Sequence, residues 1–180
     1  MSADARQPAL PRLPREVEES GRGDAVRRAL AAHALRLGPA GPRPLLPLAP
    51  ALVDALRRAR VRGRLAPGLE PAEDSLERER AGLAAVDART GRPRARRISR
   101  LALVSRDAAD RLQRRLARLA ERHADRLLLL VLDAEGRAIG RALFGREKET
   151  KLLLVSHKQA VAEVLLALAP EGEVVPPGAA

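Results

Sequence analysis

Apolar side chains recur three and four residues apart through Val26, Leu30, His33, Ala34 and Leu37, with Asp24 placed to cap them and Gly38-Pro39 to stop them. That spacing predicts an amphipathic helix. A second helix is expected from Ala51 to Arg62, with Leu52, Leu56 and Ala59 on one side, ended by Gly63 and Pro67-Gly68. Pro71 to Arg80 reads as a short acidic helix laced by Glu and Arg. Residues 1–23 and 38–50 scatter Pro, Gly and charge without an apolar period, so a disordered arm and a Pro-rich linker are expected there.

From residue 82 the pattern shortens. Leu83 to Asp87 is a brief apolar run, Arg89 to Pro93 is turn chemistry, and Ile98, Leu101, Leu103 and Val104 read as a returning strand. Asp107 precedes a clear amphipathic helix to His123, with Leu112, Leu116, Leu119 and Ala120 on its apolar side. Arg126 to Leu132 has strand length. Asp133-Ala134-Glu135-Gly136 reads as a tight turn, with Ala138 to Phe144 as the hairpin partner. Lys151 to Ser156 is expected to be a strand followed by a helix over 157–169, and Glu171 to Val175 a last edge strand. The predicted class is α/β (or α+β): a small mixed sheet with flanking helices over 82–175, preceded by a basic, mostly helical region over 24–81 and followed by a disordered tail at 176–180.

An internal similarity supports the strand at 151–156. Arg100 to Asp107 resembles Lys151 to Lys158, and each is followed by a helical pattern. Each also follows an Asp-Ala…Gly-Arg stretch, at 87–92 and 133–137. That arrangement is what a degenerate duplication of a hairpin–strand–helix unit leaves behind.

Charge changes the picture most. The chain has 34 Lys and Arg against 23 Asp and Glu, a net charge of +11 over 180 residues. Residues 1–100 account for +9 of it and residues 101–180 for +2. A GC-rich coding bias explains why 31 of the 34 basic residues are Arg, but not why Asp and Glu fail to balance them. Such an excess points to a polyanionic neighbour, nucleic acid or a ribonucleoprotein, with an acidic protein as the alternative. Absence of Cys removes disulfides and thiolate chemistry. No apolar run reaches the length of about 18 residues that a membrane span needs, and residues 1–15 lack a secretory apolar core, so a cytoplasmic protein is expected.

Two arginine clusters are the candidate nucleic-acid contacts. One is Arg57, Arg58, Arg60, Arg62 and Arg64, at the end of the second helix. The other is Arg92, Arg94, Arg96 and Arg97, in the first predicted hairpin. Guanidinium groups fork onto phosphate oxygens, which gives such clusters their chemistry. Phe144 is the one aromatic residue, so base stacking is absent and contact should fall on backbone phosphates. Neither a cofactor loop nor a histidine metal spacing is present, and no cofactor or metal is expected.

Asp133, Glu149 and Lys151 are weaker catalytic candidates. Their Asp…Glu-x-Lys order, on a helix, strand, hairpin and strand, resembles the core of the PD-(D/E)xK nucleases over residues 108–175. The resemblance implies two carboxylates on Mg²⁺ and a lysine near the attacking water. No Pro precedes Asp133, however, and Asp133 ends a strand rather than beginning one. The order helix 107–123, hairpin 127–143 and helix also resembles the roadblock-type dimerisation modules in topology alone. That likeness implies a self-associating scaffold, a homodimer.

Overall fold

Three stretches that are apolar at nearly every position become the longer strands of one sheet. The computed structural model describes residues 12–33, 45–91 and 96–169. Among them, β2 (Arg100–Ser105) pairs in parallel with β3 (Leu127–Leu132), with Leu101 opposite Leu128 and Leu103 opposite Leu130. The helix α5 (Asp110–Arg122) makes the crossover between them. On the other side of β2 lies β4 (Leu152–Val155), antiparallel, and beyond it β1 (Leu65–Pro67), antiparallel to β4. The strand order is therefore β1-β4-β2-β3, a mixed four-stranded sheet.

Continuous apolar strands imply a sheet covered on both faces. Leu101, Leu103, Leu153 and Val155 pack with α1 (Arg15–Glu19), α2 (Gly23–His33), α3 (Pro50–Val61), α6 (Gly136–Phe144) and α7 (Lys158–Ala167). Ala102, Val104, Leu152 and Leu154 face the opposite layer, formed by α4 (Leu69–Thr90) and α5. The result is a three-layer α/β fold with seven helices and one mixed sheet among the described residues. No helix among them is long and apolar enough to cross a membrane.

The expected helices at 24–37, 51–62 and 107–123 appear as α2, α3 and α5, residues 34–37 lying outside the described residues, and the expected strand at 151–156 and helix after it appear as β4 and α7. His157 caps α7, its Nδ1 accepting the Gln159 N–H at 3.3 Å. Two expectations need correction. Leu83–Asp87 is not a strand. It continues α4, which runs 22 residues and takes in the short acidic helix expected at 71–80. The stretch 82–88 is rich in Ala, the best helix former, and Gly91 in the left-handed region ends the helix.

Ala138–Phe144 is not a hairpin strand either. It belongs to α6, so β3 is followed by a helix and no hairpin forms. Ile139 and Leu143 share the buried face of α6, and Gly136 and Gly140 lie against the 148–151 backbone. With both hairpins gone, the internal similarity reduces to strand followed by helix at β2–α5 and β4–α7, and the topological likeness to the roadblock modules does not hold.

A division at residue 82 falls inside α4, and residues 65–67 supply a strand of the sheet. Of the segment 1–23, residues 1–11 lie outside the described residues, while Leu13 and Val17 are buried in the core. In the linker 38–50, residues 38–44 lie outside them, and Leu46 bridges the edge of β3 through its N–H to Val131 O at 2.8 Å. The strand expected at 171–175 and the tail at 176–180 also lie outside them.

Candidate nucleic-acid interface

Helix α3 begins at Pro50, whose fixed φ suits a first helical position, and buries Leu52, Ala55, Leu56 and Ala59. Its arginines occupy the remaining surface, and the structure gives each of them a partner. Arg57 Nε donates to Ala142 O at 2.9 Å, with Asp54 at 3.6 Å. Arg60 donates to Leu143 O and its guanidinium lies 5.2 Å from the Phe144 ring centre. Arg58 and Arg62 share Glu163 of α7, and Arg64 donates to Gln159 at 3.1 Å. Arg57 and Arg60 thus meet the open carbonyls of the last turn of α6, where cations are favoured. The five arginines face two carboxylates, Asp54 and Glu163, so the patch keeps a positive excess. Arg57, Arg58 and Arg62 remain about half exposed.

The second predicted cluster divides. Arg92 and Arg94 lie outside the described residues. Arg96 is exposed, while Arg97 is half-buried, donating to Leu13 O at 2.9 Å and to Glu18. That contact holds the Glu18 carboxyl below its ordinary range, Arg97 being the largest influence. Arg97 is therefore a tie between the N-terminal segment and the sheet.

Sequence reasoning missed a third basic group, on α5. At 100° per residue, Arg111, Arg115, Arg118 and Arg122 fall within about 60° of one another, with Arg114 at their edge. Arg115 pairs with Glu73 at 2.6 Å and Arg122 with Glu77 at 3.2 Å, both on α4. Arg111, Arg114 and Arg118 are exposed and have no hydrogen-bond or ion-pair partner among the described residues. Glu73, Arg115, Arg118, Glu121 and Arg122 line an open cleft of about 470 Å³ beside this row. The i, i+3, i+4, i+7 spacing of the arginines was the available signal.

The weak catalytic candidates lie where β2 and β3 end and β4 begins. Lys151 Nζ bridges Asp107 and Glu149, the latter at 2.7 Å. Asp133 instead pairs with Arg106 at 3.0 Å, and Arg106 reaches Glu135 at 3.3 Å. Asp107 Oδ1 also accepts the Gly136 N–H at 3.0 Å, tying the start of α6 to the end of β2. Partial burial opposes ionisation of Asp107, but the Lys151 ammonium and the Gly136 N–H outweigh it and hold the carboxyl at about 2. Asp107 and then Glu149 raise the Lys151 pKa, so this lysine is a fixed cation rather than a base. Among the described residues no three His, Cys, Asp or Glu side chains are grouped to hold a metal ion. The hairpin the nuclease resemblance requires is replaced by α6, so the fold gives that resemblance no support.

The Asp107 contacts carry a pH dependence. A carboxyl with a folded pKa below its unfolded value of about 3.9 stabilises the fold fully above that value and loses the contribution as pH falls toward 2. Discounted for solvent screening at a third-exposed side chain, the contribution is about 1 kcal/mol. Asp107→Asn is expected to lower stability at pH 7 by that amount and by almost nothing at pH 2. Urea unfolding at the two pH values checks it, and an equal loss at both would refute the assignment.

Compared with known proteins, the chain matches no family model and no curated protein sequence. Function has to be read from the fold and its surface.

Proposed function

We propose that this is a non-catalytic, cytoplasmic binding protein that contacts nucleic acid, RNA or DNA, or a ribonucleoprotein surface through arginine–phosphate contacts. The observation that carries it is the uncompensated arginine surface. The chain carries a net charge of +11, and arginines outnumber carboxylates on the outer face of α3. Long-range attraction of this size concentrates polyanions and steers their approach. Of the residues singled out in the sequence, Arg57, Arg58 and Arg62 keep half-exposed guanidinium groups, with Arg60, Arg64 and Arg96 beside or beyond them. Arg92 and Arg94 belong to the same reading, and Arg97 is committed to Glu18.

Phosphate backbone is the target rather than stacked bases. Phe144 is half-buried, with Arg60 at 5.2 Å and the Lys148 ammonium at 5.0 Å from its ring centre, so no aromatic platform is offered. The test is retention of the full chain on heparin and on immobilised RNA. Binding at about 150 mM salt that weakens steeply as salt rises is the expected result. The Arg57→Ala, Arg58→Ala, Arg62→Ala variant is expected to elute at lower salt. No retention of the wild-type chain on either matrix would overturn the proposal.

A further inference from the structure

We infer that the outer face of α5 is a docking surface for the phosphate backbone of a nucleic-acid duplex, with Arg111, Arg114 and Arg118 as its contacts. The inference rests on the polyanion-binding reading and goes further by naming the surface and the form of the ligand.

The two arginine-rich helices differ in what their guanidinium groups are already doing. Every arginine of the 57–64 cluster already has a partner within the fold. On α5 the labour is divided. Arg115 and Arg122 fasten the helix to Glu73 and Glu77 of α4, while Leu116 and Leu119 bury its inner side. Arg111, Arg114 and Arg118 contribute to neither and are exposed, without a partner among the described residues. Asp110 lies four positions before Arg114 and Glu121 three after Arg118, but neither forms an ion pair with the row, so its three guanidinium groups are left to an outside counter-charge.

Spacing favours a duplex. The three residues span seven positions, about 10 Å of helix axis, on a helix fixed by its neighbours at both the apolar and the charged side. A rigid row suits a ligand whose phosphates are themselves held at regular intervals, as in a double helix. A single strand is gripped through base stacking as well, for which this surface has no side chain. Arginine rather than lysine adds forked hydrogen bonds to each phosphate.

The measurement is binding of the full chain to a duplex of about 20 base pairs, as DNA and as RNA of one sequence, and to the single strands, across a salt series. Arg111→Ala, Arg114→Ala, Arg118→Ala removes no contact within the fold, so thermal unfolding should be unchanged. Loss of three phosphate contacts is expected to lower the slope of log K against log salt by about 2.7 for duplex DNA. The ratio of affinities at 50 and 200 mM then falls by about 40-fold. The corresponding Lys variant should keep most of the slope. An unchanged slope in the Ala variant, with the wild type binding duplex, overturns the α5 surface and leaves the polyanion reading standing. Equal or tighter binding of single strands overturns the duplex assignment, and absence of binding to every probe overturns both readings. A preference between DNA and RNA identifies the source of the duplex.

Discussion

Gly140→Ala is expected to destabilise the protein by about 3 kcal/mol, a Tm loss of about 6–12 °C for a chain of this size. A β-carbon at this position of α6 would lie 1.7 Å from the carbonyl oxygen of Lys148, 2.7 Å from its carbon and 3.1 Å from its nitrogen. These are backbone atoms, so no side chain can rotate out of the way. The 146–151 segment would have to lift from the helix, and it is fixed at its far end. Thr150 N donates to Gly136 O at 3.1 Å, and Lys151 is held by Asp107. One turn earlier Gly136 shares the strip, with Thr150 O at 3.1 Å from its would-be β-carbon. Gly82 is the internal control. It lies in α4 with nothing within 4 Å of a β-carbon, and Gly82→Ala is expected to stabilise by about 0.5–1 kcal/mol through helix propensity. Denaturant unfolding of both variants checks the pair. Gly140→Ala at wild-type stability would show that the close approach is not a constraint.

That strip explains why the hairpin expectation at 133–144 failed. Gly136 and Gly140 are poor helix formers, and Asp133-Ala134-Glu135-Gly136 has the composition of a turn, so local propensity argued against α6. Tertiary packing overrode it, because the same two glycines let a backbone segment cross the helix. The i, i+3, i+7 spacing of Gly136, Ile139 and Leu143 was a usable signal for a helical face. Leu83–Asp87 failed for the opposite reason, an apolar run too short to distinguish strand from buried helix by period. By contrast β2, β3, α3 and α5 were legible because each buries a continuous or strongly periodic set of leucines. Of the site, the positive excess was legible and its distribution was not. Arg62 and Glu163 stand 101 positions apart, so no local pattern reveals which arginines the fold consumes. Lys151 and Asp107 likewise meet only through the sheet.

The arginines the fold consumes most completely are Arg100 and Arg126, and removing their counter-charge is expected to be as damaging as crowding Gly140. Arg100 opens β2 and Arg126 precedes β3, and backbone contacts already join them, Arg100 N donating to Arg126 O at 3.1 Å. Glu79 of α4 reaches both guanidinium groups with one oxygen, at 2.6 and 3.0 Å. All three side chains are about four-fifths buried, at 16%, 19% and 22% exposure. Burial lowers the Arg100 pKa, and Glu79 opposes that shift while Arg126 adds to it. The group therefore already carries one uncompensated positive charge. Glu79→Gln would raise that to two within a few ångströms, in a setting where water screens weakly. Breaking a buried ion pair from one side costs about 3–5 kcal/mol, and the lower end applies to side chains that keep some exposure. Converting Arg100 to Met removes one of the stranded charges, so in the Glu79→Gln background it should cost less than in the wild type. A double-mutant cycle by urea unfolding is expected to give a coupling of about 1–3 kcal/mol. A Glu79→Gln loss below about 1 kcal/mol would mean that water reaches these guanidinium groups and that this charge cluster contributes little to holding α4 against the sheet.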